Sequence, residues 1–221
     1  MNGSLYLLFL VTAFVTIVSP GPGVLMSIMK TMQCGYKGAF WTICGTSGGT
    51  LVMAAISGTG LGLLLSHSPQ AYAALRLVGA CYLIWLGIKS WRAKPSVFSL
   101  ADAAAQRRAG ASSCDKAPEI RQFAFFAEGI MLQMTNPVLI MFFVSLFPQF
   151  IDPKLSYALQ YSVLALTYWA LVFLVHTGYS LLTMKFRGLL KNERAVRGIY
   201  RTGAVLFFLL SAMVFRDALL S

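Results

Sequence analysis

The stretch Ser19-Pro20-Gly21-Pro22-Gly23 lies inside an apolar run covering residues 5–29, and its reading decides the fold. A helix cannot pass through it intact. Each proline removes a backbone N–H and crowds the carbonyl one turn back, and each glycine lowers helix propensity, so the run is predicted to be two half-helices joined by an irregular elbow. At membrane depth such backbone persists only where protein buries it or where it lines a polar cavity, because hydrocarbon offers it no hydrogen-bond partner. A second apolar run, residues 123–150, is interrupted in the same manner by Thr135-Asn136-Pro137. Interrupted helices at corresponding places in two halves of a chain are the pattern of a secondary transporter.

Working outward, 221 residues that are 57% hydrophobic and 11% charged leave too little polar surface to cover a water-soluble globule. Apolar runs of about 17 to 25 residues suffice to span a bilayer as helices. They fall at 5–29, 39–65, 75–91, 123–150, 157–184 and 203–219. The net charge of +11 invites a nucleic-acid reading, but the cations sit between apolar runs and not in one stripe with aromatics among them. All but Arg76, Lys154 and Arg216 of the 18 basic residues fall on one side of the predicted membrane. The positive-inside rule makes that side cytoplasmic and puts both termini outside the cytoplasm. Spans one and four then run in opposite senses. The predicted fold is all-α: a polytopic membrane protein of six transmembrane helices, arranged as two inverted three-helix repeats with broken helices 1 and 4. The repeats are 1–91 and 123–221, and 92–122, rich in Ala, Ser and charge, is a cytoplasmic linker between them.

The residues flanking the elbows suggest their chemistry. Ser19 and Asn136 are good N-caps, each followed by a proline suited to the first helical position, so each elbow is expected to start a half-helix whose unpaired N–H groups face the break. A helix N-terminus presents orphan donors and roughly half a positive charge, which suits a carboxylate without any arginine. In span two, Gly45 and Gly49 form a G-x-x-x-G pair expected to make a tight helix seam, while Thr46, Ser47 and Thr50 could bond across it or reach a substrate. Gln133, one turn before Pro137, could lend its amide to the cavity or bond a freed carbonyl. Glu128 and His176 are ionisable groups within spans, where charge is expensive, and they are the candidates for proton coupling. The four cysteines form no C-x-x-C pair and find no histidine at metal-ligand spacing. Free thiols are expected, with no cofactor and no metal. With no Lys or Arg before Leu5 and an apolar run longer than a signal-peptide core, the first run is read as a retained membrane helix.

Taken together, Ser19-Pro20-Gly21-Pro22, then Gly35, Gly38, Gly45 and Gly49, and Leu77-Val78-Gly79-Ala80-Cys81-Tyr82-Leu83-Ile84-Trp85-Leu86-Gly87 resemble the lysine exporter (LysE) superfamily. The likeness is closest to its homoserine/threonine and leucine efflux branch. Gly129, Asn136-Pro137, Phe142-Phe143 and Pro148-Gln149-Phe150 look like that family's second-half pattern, so the resemblance covers nearly the whole chain. It implies a bacterial inner-membrane exporter of amino acids driven by the proton gradient, with Ser19, Pro20, Gly21, Pro22, Asn136 and Pro137 in the substrate region. The family often has Asn or Asp after its P-G-P and Lys after its N-P, where this chain has Gly23 and Val138. The expected cavity is correspondingly less charged.

The resulting expectation is a secondary transporter, not an enzyme, that exports a small neutral amino acid. The elbow N–H groups would meet the carboxylate, Thr46, Ser47 or an outward carbonyl would take the ammonium, and Gly23, Gln133 and Thr135 are further substrate-binding candidates. Few buried carboxylates argue against a cationic substrate. The expected partners are the amino acid, protons and membrane lipid, with homo-oligomerisation left open and nucleic acid excluded. Two alternatives are a thiol–disulfide carrier, which needs two cysteines within bonding distance, and an exporter of a different small solute.

Overall fold

A computed structural model describes residues 3–19, 21–67, 69–92, 118–152, 154–185 and 193–220. Most of the predicted linker and Pro20 lie outside these residues. The described chain is helical: α1 Gly3–Val18, α2 Pro22–His67, α3 Pro69–Arg92, α4 Pro118–Met134, α5 Pro137–Met141, α6 Tyr157–Lys185 and α7 Glu193–Leu220. Among the described residues, two helices, Pro22–Gly60 and Tyr157–Lys185, are long and apolar enough to cross a membrane by themselves. The pair Gln122–Met134 and Pro137–Val144, bent by 51°, makes a third if it counts as one span. Gly3–Val18 and Tyr200–Leu209 are apolar but shorter.

Both predicted breaks are present. Ser19 N–H donates to Val15 O at 3.0 Å and so closes α1, while Leu25 N–H donates to Gly21 O at 3.0 Å and starts α2. The expected register is therefore corrected by two residues. Ser19 ends the first half-helix and does not cap the second, which begins at Pro22 after Gly21. Pro22 has no N–H for Val18 O, one turn back, and the Tyr179 hydroxyl donates to that carbonyl instead at 2.7 Å. At the second break Pro137 leaves Gln133 O without its helical donor, and Asn136 N–H supplies one at 3.2 Å.

No separate loop follows the first elbow, contrary to expectation. The chain stays helical to Gly35, whose φ of 70° lies in the left-handed region open to glycine, and reverses there. A straight helix would hold Gly23 and Gly49 about 39 Å apart. Yet side chains placed on either would touch Gln133. The two arms of α2 thus lie side by side along α4. In the second half, α5 dilates into a π-turn at Phe142–Leu146 and tightens into a 3₁₀ turn at Phe147–Phe150. Pro148 explains the change: its ring crowds the carbonyl four residues back and it offers no N–H.

Polarity is arranged for an apolar solvent. Leu7, Phe14, Ile56, Leu159, Leu166 and Leu174 are each at least half exposed, whereas the hydroxyls of Thr16, Ser27, Thr31, Thr46, Thr50 and Ser180 are buried. The interior has two regions. One is an aromatic cluster in which Phe9, Phe142, Phe143 and Phe147 pack ring on ring with Tyr168, the closest centroids, Phe142 and Tyr168, being 4.6 Å apart. The other, between the elbows, is hollow.

Candidate functional site

Both elbows open on one cavity of about 330 Å³. Ser19, Gly21, Pro22 and Gly23 line it from the first break and Gln133, Asn136 and Val138 from the second, with His176 of α6 between them. Thr16 of α1, the tyrosines Tyr168 and Tyr200 and the α3 residues Lys89 and Ser90 complete its polar lining. Among the described residues no carboxylate faces it, so Lys89 and the open end of α2 bias it toward anions.

The two elbows are chemically unequal. At the first, glycines stand at positions 21 and 23, and the amides ahead of Leu25 form an open helix end. At the second, Asn136 Oδ1 accepts from Val138 N–H at 3.1 Å, so the chain caps itself there. Asn136 is thus the N-cap expected there, with Pro137 opening the half-helix, and it satisfies one of that end's donors. Gln133 joins the elbows: its Nε2 donates to Thr50 Oγ1 at 3.0 Å, and its Oε1 accepts from Asn136 Nδ2 at 3.5 Å.

The other expected site residues scatter. Thr46 and Ser47 are buried but do not line the cavity. Thr46 Oγ1 is spent on Ile43 O at 3.0 Å and faces His176 Nδ1, while Ser47 Oγ is buried with no hydrogen-bond partner. Thr135 is exposed and its hydroxyl bonds back to Met131 O at 2.9 Å, and Pro137 is exposed outside the lining. Pro20 lies outside the described residues. Of the two ionisable candidates only His176 lines the cavity. Glu128 is 45% exposed and pairs with Lys30 at 2.6 Å, Lys30 also lying 3.9 Å from the Phe125 ring centroid. Lys30 is only 12% exposed, so removing the carboxylate strands its ammonium, at a cost of roughly 1–3 kcal/mol. Glu128→Gln is therefore expected to lower unfolding stability in detergent by about that amount and to leave transport within about twofold. Loss of gradient-driven transport in this variant would return Glu128 to the coupling role.

The sequence reading missed Lys89, Tyr168 and Tyr200. Lys89 was counted as loop charge because it stands in the last turn of α3, but its ammonium lies over the Trp85 ring at 4.7 Å on a helix that continues to Arg92. The Gly45 and Gly49 pair forms the expected seam: side chains there would strike the backbone of Phe126 and Ile130. Cys34 is disulfide-bonded, which corrects the expectation of a free thiol there, while Cys44 and Cys81 are free. None of these three lines the cavity.

Comparison with known proteins agrees with this architecture. The LysE type translocator family matches residues 14–217. The homoserine/homoserine lactone efflux proteins of Salmonella typhimurium and Salmonella typhi are each 32% identical over 206 residues, 93% of either chain. An uncharacterized membrane protein of Vibrio cholerae is 32% identical over 182 residues, 82% of either chain. No solved structure matches. A chain matched over nearly its whole length in this way belongs to the LysE type translocator family, and it is a membrane transporter and not an enzyme.

Proposed function

We propose that the chain exports a small neutral amino acid, homoserine or one of similar size, across the bacterial inner membrane in exchange for protons. The observation that carries this reading is the cavity on which both broken helices open, lined among the described residues by one cation and no carboxylate. Its volume of about 330 Å³ is at the small end for ligand pockets. The open amides at the start of α2, assisted by Lys89, suit a carboxylate. A lysine or arginine side chain would find no counter-charge there. The similar Salmonella proteins are named for homoserine and its lactone.

The six-span inverted arrangement belongs to the same reading. Each broken helix packs on the following helix of the opposite half. The second arm of α2 lies along α4, α6 lies along α1 and the first arm of α2, and α3 pairs with α7. Such reciprocal pairing is what a two-fold axis in the membrane plane produces. Residues 1–91 and 123–221 are then the two repeats, with both termini outside the cytoplasm. Lys89, Ser90 and Tyr200 lie toward the cytoplasmic side, and the aromatic cluster of Phe9, Phe142, Phe143 and Phe147 closes the outer side. That is the state in which an exporter loads.

The test is counterflow by the full-length protein in proteoliposomes, using homoserine, homoserine lactone, threonine, leucine and lysine, with and without a pH gradient. Exchange of homoserine or threonine, accelerated when the gradient is inward, is the expected result. Exchange of lysine in preference to these, or of no amino acid, overturns the reading.

A further inference from the structure

His176 is 4% exposed, yet its ring is part of the cavity wall. Its Nδ1 lies 3.2 Å from Ser27 Oγ and 3.4 Å from Thr46 Oγ1. Both hydroxyls have already committed their one hydrogen to a backbone carbonyl, Ser27 to Gly23 O at 3.0 Å and Thr46 to Ile43 O at 3.0 Å. The oxygens that face Nδ1 are therefore acceptors. It follows that Nδ1 carries the ring proton, and the neutral imidazole keeps its lone pair on Nε2.

Nε2 meets no donor among the described residues. It lies against the first elbow, 3.6 Å from where a Cβ on Gly23 would stand. Of the other side-chain acceptors near the elbows, Asn136 Oδ1 takes Val138 N–H and Gln133 Oε1 takes Asn136 Nδ2, and the Ser19 hydroxyl is a far weaker base than an imidazole nitrogen. A carboxylate held at the start of α2 would place the α-ammonium of the same amino acid, one carbon away, beside this lone pair.

We infer that His176 Nε2 accepts a hydrogen bond from the α-ammonium of the substrate, and that the missing side chain of Gly23 is what lets the imidazole reach the elbow. The inference rests on the export reading. It replaces Thr46 and Ser47 as the ammonium's partner and makes His176 a specificity residue, selecting an amine beside the carboxylate. It also supplies an exchange rule. A proton and a substrate ammonium need the same lone pair, so they exclude one another at that atom. The other titratable groups on the lining are Lys89 on α3, Tyr168 on α6 and Tyr200 on α7, and none of these is a carboxylate that could hold the ammonium in its place.

The experiment measures inhibition of labelled homoserine counterflow by unlabelled homoserine and by 4-hydroxybutyrate, which lacks only the amino group. The unaltered protein is expected to prefer homoserine. H176N keeps an N–H near the Nδ1 position but offers nothing at Nε2, and its preference should fall roughly tenfold to a hundredfold, the range of one hydrogen bond to a charged group. H176Q sets an amide oxygen near the Nε2 position and should keep the preference within about threefold. A preference unchanged in H176N, or lost equally in both variants, overturns the assignment. So does an unaltered protein that does not distinguish the two compounds, a result that needs neither variant to fold. No amino-acid counterflow by the unaltered protein would instead refute the export reading, and this assignment with it.

Discussion

Alanine at Gly129 is expected to cost the bundle about 3 kcal/mol, the upper end of what overpacking usually does. A Cβ at Gly129 would lie 2.5 Å from Thr42 O and 2.8 Å from Thr46 N, and one at Gly45 would press on the Phe126 carbonyl across the same seam. The obstacles are backbone atoms of two helices, so no rotamer change relieves them and α2 and α4 must separate. Because one separation would relieve both, Gly45→Ala and Gly129→Ala should combine to less than their sum. Unfolding in detergent measures the effect. Gly178→Ala is the control, since nothing lies within 4 Å of its missing Cβ, and it should melt at or somewhat above the temperature of the unaltered protein, alanine being the better helix former. A Gly129→Ala protein that did the same would show that the seam is looser than described. The consequence reaches the cavity, because the same seam holds Gln133, which lines it, against Thr50.

The breaks were legible because proline acts locally. A missing N–H at position 22 or 137 disrupts a helix whatever surrounds it, so the elbows could be read from five residues and three residues respectively. The seam was legible for a similar reason, since glycines four apart leave a flat helix face in any context. What surrounds the cavity was not. That Lys89 lines it depends on how α3 packs against α7, and no local pattern encodes that pairing. The sequence places Thr46 and Ser47 among small and hydroxylated residues, but says nothing of which face of α2 meets α6. The structure puts Thr46 behind His176 and Ser47 off the cavity wall. The second elbow was legible to the cap itself, since Asn136 before Pro137 is a local signal, and its Oδ1 accepts from Val138 N–H at 3.1 Å. The family departures at 23 and 138 read as a loss of charge. In space, Gly23 and Val138 line one cavity, and Lys89 and His176 reach it from other helices.

Gly23→Ala separates transport from stability, because it should lower the first sharply and leave the second nearly unchanged. Position 23 lies in the first turn of α2, where alanine is preferred to glycine by up to about 1 kcal/mol, which offsets the cost of displacing a neighbouring side chain. Its Cβ, however, would stand 2.9 Å from His176 Cε1 and 3.4 Å from Gln133 Oε1. The second is an ordinary contact, but the first is not tolerable without movement. The imidazole must swing off the elbow and give up its contacts with Ser27 and Thr46, which carries Nε2 away from the cavity. Homoserine counterflow should fall at least about tenfold, the equivalent of 1.4 kcal/mol, while the melting temperature in detergent changes little, helix propensity offsetting the lost hydrogen bonds. The cause can be isolated by a double-mutant cycle with H176N. Once the imidazole is gone the alanine has little left to displace, so adding Gly23→Ala to H176N should change counterflow by less than about twofold. Full additivity of the two changes would mean that the methyl group obstructs the cavity itself and that the imidazole at the elbow has no part in the loss.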